Sequence, residues 1–129
     1  MIRSANRPVE DASVLFVGAG RHQRRALVRL RELGVRVVAV DRNPEAPGLA
    51  IVDAGEVVDV LDIPAVVEAG RMHGVDGVMT YAADRAVPVV AAVAEALDLP
   101  GIGTETAHLM TNKIAMRRQL ARTYSTCAV

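Results

Sequence analysis

Gly18 and Gly20 follow directly on the apolar run 14-VLFV-17 and precede Arg21, Arg24 and Arg25, and no other stretch of this 129-residue chain is better suited to hold an anion. In a dinucleotide-binding turn the first glycine makes the bend. The second lets backbone amides approach a pyrophosphate at a helix N-terminus, and the third lets helix and strand pack closely. Asp41 ends the next apolar run about 20 residues beyond Gly20, where a carboxylate would receive a ribose hydroxyl. Gln23, however, stands where the third glycine would fall. These residues leave three readings open: an NAD(P) site, a purely structural strand-to-helix turn, and a loop shaped for some other small anion or substrate.

The guanidinium fork of an arginine matches a phosphate or a carboxylate, so Arg21, beside the glycines, is a candidate ligand contact, while Arg24 and Arg25 fit a solvated helix face. Other chemistries lack their residues. His22, His73 and His108 have no i, i+4 partner for a helical metal site, and there is neither a Gly-x-Ser-x-Gly elbow nor a Gly-x-x-x-x-Gly-Lys phosphate loop. Cys127 is the single cysteine, which excludes an internal disulfide and suits a reducing cytoplasm.

The elements that must position these residues alternate. A strand over 14–18 leads to an amphipathic helix over 21–33, with Ala26, Leu27, Leu30 and Leu33 on one side and Gly34 at its end. Strands are expected at 35–41, 56–60 and 75–81. Helices are expected at 63–73, with Pro64 in the first turn, and at 84–99, with Asp84 as N-cap and Pro100-Gly101 as the stop. A short helical turn opened by Thr104 or Thr106 and a last helix over 111–121 complete the pattern. Such alternation predicts an α/β fold, a doubly wound, Rossmann-like parallel sheet of four to five strands. Ligands of these sheets gather outside the carboxyl ends of the strands. One rim should therefore carry Gly18 to Gln23, Asp41 to Gly48, Thr80 to Asp84 and Gly101 to Thr104.

Composition narrows the partners. Fifteen basic residues cancel fifteen acidic ones, which argues against nucleic acid and anionic membranes. Hydrophobic residues make up 51% of the chain, Phe16 is the only Phe and Trp is absent, so the core should be aliphatic. The N-terminus has no apolar signal core, and no window reaches the roughly 18 apolar residues of a membrane span. A soluble cytoplasmic protein is expected.

Taken together, 15-LFVGAGRHQ-23, 37-VVAVDRNPEAPGLAIVD-53, 76-DGVMTYAADRAVPVVAAVAEALDLPGIG-103 and 112-NKIAMRRQL-120 resemble the N-terminal part of ATP-grasp ligases. That superfamily includes biotin carboxylase and carbamoyl phosphate synthetase, and the chain looks most like the carbamoyl-phosphate-synthetase-like type. The resemblance covers about residues 13 to 121 and implies a pre-ATP-grasp domain over 13–110, after a disordered leader over 1–12 and before a linker helix and atypical tail over 111–129. It implies a glycine loop that is not an NAD site and helps to shape the acceptor-substrate pocket, which accommodates Gln23. Gly18, Gly20, Arg21, Gln23, Asp41, Thr80 and Asp84 are then the candidate substrate-binding residues. Lys113, the one lysine among the basic residues, takes the place of a family lysine that reaches ATP phosphates, although Asn112 replaces the commoner Asp before it.

By the same resemblance ATP and Mg2+ serve the parent enzyme, neither being held tightly by this chain alone. The implied partners are a small carboxylate or amine substrate, the ATP-grasp subdomains in cis or in trans, and a second copy of the chain. The tail 121-ARTYSTCAV-129 departs from the family, and on this reading it is a truncated or frameshifted end of a domain that does not catalyse by itself. The remaining alternatives are a freestanding binding module that completes a separate ATP-grasp chain, and an NAD(P)-binding fragment.

Overall fold

A computed structural model describes residues 8–124. Four parallel strands form its sheet: β1 (Ser13–Val17), β2 (Arg36–Asp41), β3 (Ala54–Val57) and β4 (Gly77–Met79), in the spatial order β3-β2-β1-β4. The helices are α1 (Arg24–Glu32), α2 (Ile63–His73), α3 (Val87–Ala96), α4 (Thr104–Thr111) and α5 (Lys113–Thr123). The fold is α/β and Rossmann-like, at the lower end of the strand number expected.

The unbroken apolar runs of β1 and β2 arise because both strands are covered on both faces. Leu15 and Val17 pair in register with Val38 and Val40 and pack with Val66, Val67, Val89 and Val93 of α2 and α3. Phe16 and its partner Ala39 point the other way, toward Leu27 of α1 and Ala46. The chain moves outward from β1 to β2 to β3 with its connections on the α1 face. It then returns over the opposite face through α2 to place β4 on the far side of β1. Right-handed crossovers require that change of face when the direction of travel reverses.

Three helices end alike. After α1 the N–H of Gly34 donates to Arg31 O and that of Val35 to Leu30 O, and Gly74 and Val75 repeat the pattern after α2. After α3 the left-handed residue is Asp98, at φ 53°, with Leu99 N donating to Ala94 O at 2.8 Å. This Schellman closure satisfies the last carbonyls. It stops α3 at Ala96, so the helix expected over 84–99 ends before Pro100 and Gly101 are reached. The same expected helix begins late, because Asp84–Ala86 form a separate 3-10 turn and Asp84 makes no side-chain capping bond.

Strand β3 lies two residues earlier than 56–60, since the Asp53 carboxylate accepts from Val37 N at 2.8 Å while Asp53 N donates to Val37 O, and this clamp starts the ladder. Val58 and Val60, released from the ladder, pack against the α2 side of the core. Strand β4 is shorter than 75–81, and α1 starts at Arg24 because residues 21–23 form a turn. Of the leader expected over 1–12, residues 1–7 lie outside the described residues. Val9–Asp11 form a 3-10 turn, followed by Ala12, whose carbonyl accepts from Arg36 N. The last helix runs Lys113–Thr123, and the tail from residue 125 on, with Cys127, lies outside the described residues.

Candidate functional site

The strand order changes direction between β1 and β4, so the crevice outside their carboxyl ends is where an open parallel sheet takes its ligand. Its two banks are the glycine loop, 18–23, and the segment 80–84. Gly18 makes the bend at φ 96°, a conformation that strains any residue with a Cβ, while its N–H still donates to Val40 O at 2.9 Å. The amides of Gln23 and Arg24 turn inward to Gly20 O and Arg21 O. Among the described residues this leaves the N–H groups of Gly20, Arg21 and His22 without a protein acceptor at the N-terminal side of α1.

Two bonds tie the second bank to the end of β1 and to the glycine loop. Thr80 Oγ1 donates to Val17 O at 2.8 Å, and Gln23 Nε2 donates to Tyr81 O, also at 2.8 Å. Gln23 is only 8% exposed. Its side chain lies against both glycines, with Oε1 3.0 Å from where a Cβ on Gly20 would stand. Past the second bond, Ala82 is held at φ 52°, in the left-handed region. Such a non-glycine outlier at a ligand-binding rim costs about 1–2 kcal/mol and persists only where its surroundings impose it.

Asp41 reaches the same loop from β2. Its Oδ2 accepts from Ala19 N at 2.8 Å and its Oδ1 from Asn43 N at 2.9 Å. The carboxylate expected at a ribose is thus engaged with two backbone amides, and it joins the end of β2 to the glycine loop. The close approach that a third glycine provides occurs instead at Gly48. A Cβ there would come within 2.5 Å of both Ala19 O and Leu27 Cδ1, and Gly48 N donates to Ala19 O at 2.7 Å. Sequence reading placed Gly48 on the rim without this role. The Pro47-Gly48 pair, after Ala46 in a loop of prolines, was the available signal.

Arg21, Arg24 and Arg25 are all exposed, and so is Asp84. Gly18, Gly20, Gln23 and Thr80 thus sit together at the carboxyl ends of β1 and β4, Asp41 holds the glycine loop from the β2 side, and Arg21 and Asp84 are exposed beside them. Lys113 stands apart from that assembly. Helix α5 packs chiefly on α4, and α4 on α3, where Glu95 Oε1 accepts from Thr104 N at 2.8 Å. Asn112 caps α5 by accepting from Ala115 N at 3.0 Å, which leaves the Lys113 ammonium exposed and, among the described residues, without an ion pair.

A cavity of about 460 Å³ opens at the other end of the sheet, between Glu10, Asp11, Ser13, Arg36, His73 and Asp76. Its polar groups are bound to one another: Asp76 Oδ2 accepts from Ser13 N, and Arg36 donates to Ser13 Oγ and to His73 O. It lies at the amino ends of the strands, where this sheet type does not place ligands, so the crevice between β1 and β4 is the better site. No group of three His, Cys, Asp or Glu among the described residues could hold a metal ion, and no described helix is long and apolar enough to cross a membrane.

The model of the ATP-grasp N-terminal domain family matches residues 30–101, more than half of the chain. The chain belongs to that family. A formate-dependent phosphoribosylglycinamide formyltransferase from Burkholderia cenocepacia is 43% identical over 63 residues, a stretch that is 46% of this chain and 16% of the relative. The chain thus matches about a sixth of the length of such curated relatives. Among solved structures, phosphoribosylglycinamide synthetase from Anaerococcus prevotii superposes with a TM-score of 0.76 at 24% identity, over 86% of this chain and 28% of that one. L-amino acid ligase from Bacillus licheniformis gives 0.73 at 26%, over 86% and 30%. This ATP-grasp N-terminal domain thus shares the fold of less than a third of each of those two chains.

Proposed function

We propose that this ATP-grasp N-terminal domain positions the acceptor substrate of an ATP-dependent ligase that joins a carboxylate to an amine, or of a carbamoyl-type ligase, and does not catalyse alone. In such a reaction ATP converts a carboxylate to an acyl phosphate, and an amine attacks it. The chain's share is to hold one reactant in line, which removes part of the entropic barrier. The observation that carries the reading is the crevice between β1 and β4. There the glycine loop carries the exposed Arg21 and the amides of Arg21 and His22, which have no acceptor among the described residues, and it is tied to the segment from Thr80 to Asp84 by the Gln23–Tyr81 bond. Relatives named for phosphoribosylglycinamide support an acceptor that carries both a phosphate and an amine.

ATP and Mg2+ belong to the ligase as a whole. Lys113 suits a phosphate contact from the edge of the nucleotide site, being exposed and, among the described residues, without an ion pair at the first turn of a capped helix. The metal ligands would come from the ATP-grasp subdomains, whether on the same chain or another. The dinucleotide reading has no such support, because the Asp41 carboxylate already serves Ala19 and Asn43 and Gln23 fills the glycine loop.

An NMR titration of the 15N-labelled chain with phosphoribosylglycinamide tests the proposal. Saturable amide shifts grouped at 21–22 and 80–84 are expected. Shifts grouped instead around Ser13, Arg36 and His73, or none at saturating ligand, would overturn it.

A further inference from the structure

Gln23 and Ser13 are the buried polar residues among those described, and Gln23 lies on the candidate crevice. Its carboxamide has one fixed orientation, since only the nitrogen can donate to the Tyr81 carbonyl 2.8 Å away. Oε1 therefore faces the glycine loop. It accepts no hydrogen bond among the described residues and is not sealed from solvent. It stands 3.0 Å from the position of a Cβ on Gly20 and 4.0 Å from that on Gly18. In a dinucleotide turn the bare side of the second glycine is where the diphosphate lies. Here that space holds an oxygen with partial negative charge, and a phosphate oxygen placed there would meet it lone pair against lone pair.

We propose that Gln23 is a specificity-determining residue whose carboxamide excludes a diphosphate from the glycine loop. It confines the N-terminus of α1 to a ligand that reaches only the outer amides of Arg21 and His22, a single phosphate or a carboxylate. The carboxamide cannot swing aside without giving up the Tyr81 bond, so the exclusion is built into the tie that holds the two banks together. The inference goes beyond the acceptor-positioning reading and stands whatever that acceptor is.

The test is an amide NMR titration of the 129-residue chain with sodium pyrophosphate, and separately with inorganic phosphate, at constant ionic strength. The wild-type chain should show no saturable shift at Gly20 up to about 10 mM pyrophosphate, with any phosphate response confined to Arg21 and His22. Gln23→Gly should gain a saturable Gly20 response with a Kd at least about tenfold lower, and Gln23→Ala, which keeps a Cβ and helical propensity, should move the same way. Saturation of the wild-type Gly20 amide by pyrophosphate overturns the proposal without any variant. So does a folded Gln23→Gly or Gln23→Ala chain that binds pyrophosphate no more tightly than wild type.

Discussion

Asp41 and Gln23 show how a residue type that suggests one chemistry can be employed in another. A carboxylate at the end of a second strand is what a ribose-binding site needs, yet this one accepts from Ala19 N and Asn43 N. Removing it leaves a buried loop amide without an acceptor, so Asp41→Ala should cost about 1–3 kcal/mol in urea denaturation. NADH fluorescence should respond equally little with either chain. An Asp41→Ala chain as stable as wild type would show that the loop does not depend on this carboxylate. Ala82 gives the opposite sign: with φ 52° it sits where glycine is unstrained, and Ala82→Gly should raise stability by about 0.5–1 kcal/mol. The identity of these residues was legible in the sequence, whereas their bonds were not, because partners 22 and 58 positions away are set by how the strands line up.

At the scale of elements, the 3-10 turn Pro47–Ala50 locks onto the glycine loop, and the contact leaves no room for a side chain at Gly48. Its obstacle includes the Ala19 backbone, which cannot rotate away as a side-chain tip could. Gly48→Ala should therefore destabilise by about 1–3 kcal/mol and disturb the amide resonances of Ala19 and Gly20. Helix α5 behaves differently, since none of its residues is buried. Asn112→Ala should remove a cap bond worth about 1 kcal/mol, seen as faster hydrogen exchange in α5 with little change in the global transition. Lys113→Ala should leave both unchanged. The α2 boundaries were readable because Pro64 and Gly74 act locally, as first-turn residue and left-handed end, and the structure adds Asp62 as the cap. The end of α3 was missed because Asp98 takes the conformation usually left to glycine.

For the whole molecule, the core is two aliphatic layers with Phe16 and Leu15 fully buried on opposite faces of β1. Phe16→Ala should cost about 3–5 kcal/mol, a large part of the roughly 5–15 kcal/mol that holds a domain together. A chain so changed should show a much lowered thermal midpoint. Outside the core, Met110 on α4, Ile114 on α5 and Tyr124 after α5 are 64%, 62% and 61% exposed. Ile114→Glu should leave the thermal midpoint of the chain within about a degree or two, as surface changes do.

The sequence by itself determined the α/β class, the glycine loop at the first strand-to-helix turn and the family. The first two depend on periodicity, turn residues and spacing, which are local properties of the chain, and the family was read from its resemblance to ATP-grasp ligases over four stretches. Only the tertiary structure decided that β4 lies beside β1, so that Gln23 meets Tyr81 and Thr80 meets Val17, and that the third-glycine contact is made at Gly48. Those pairings arise from sheet order and strand register, where a few ångströms of displacement exchange one hydrogen-bond partner for another.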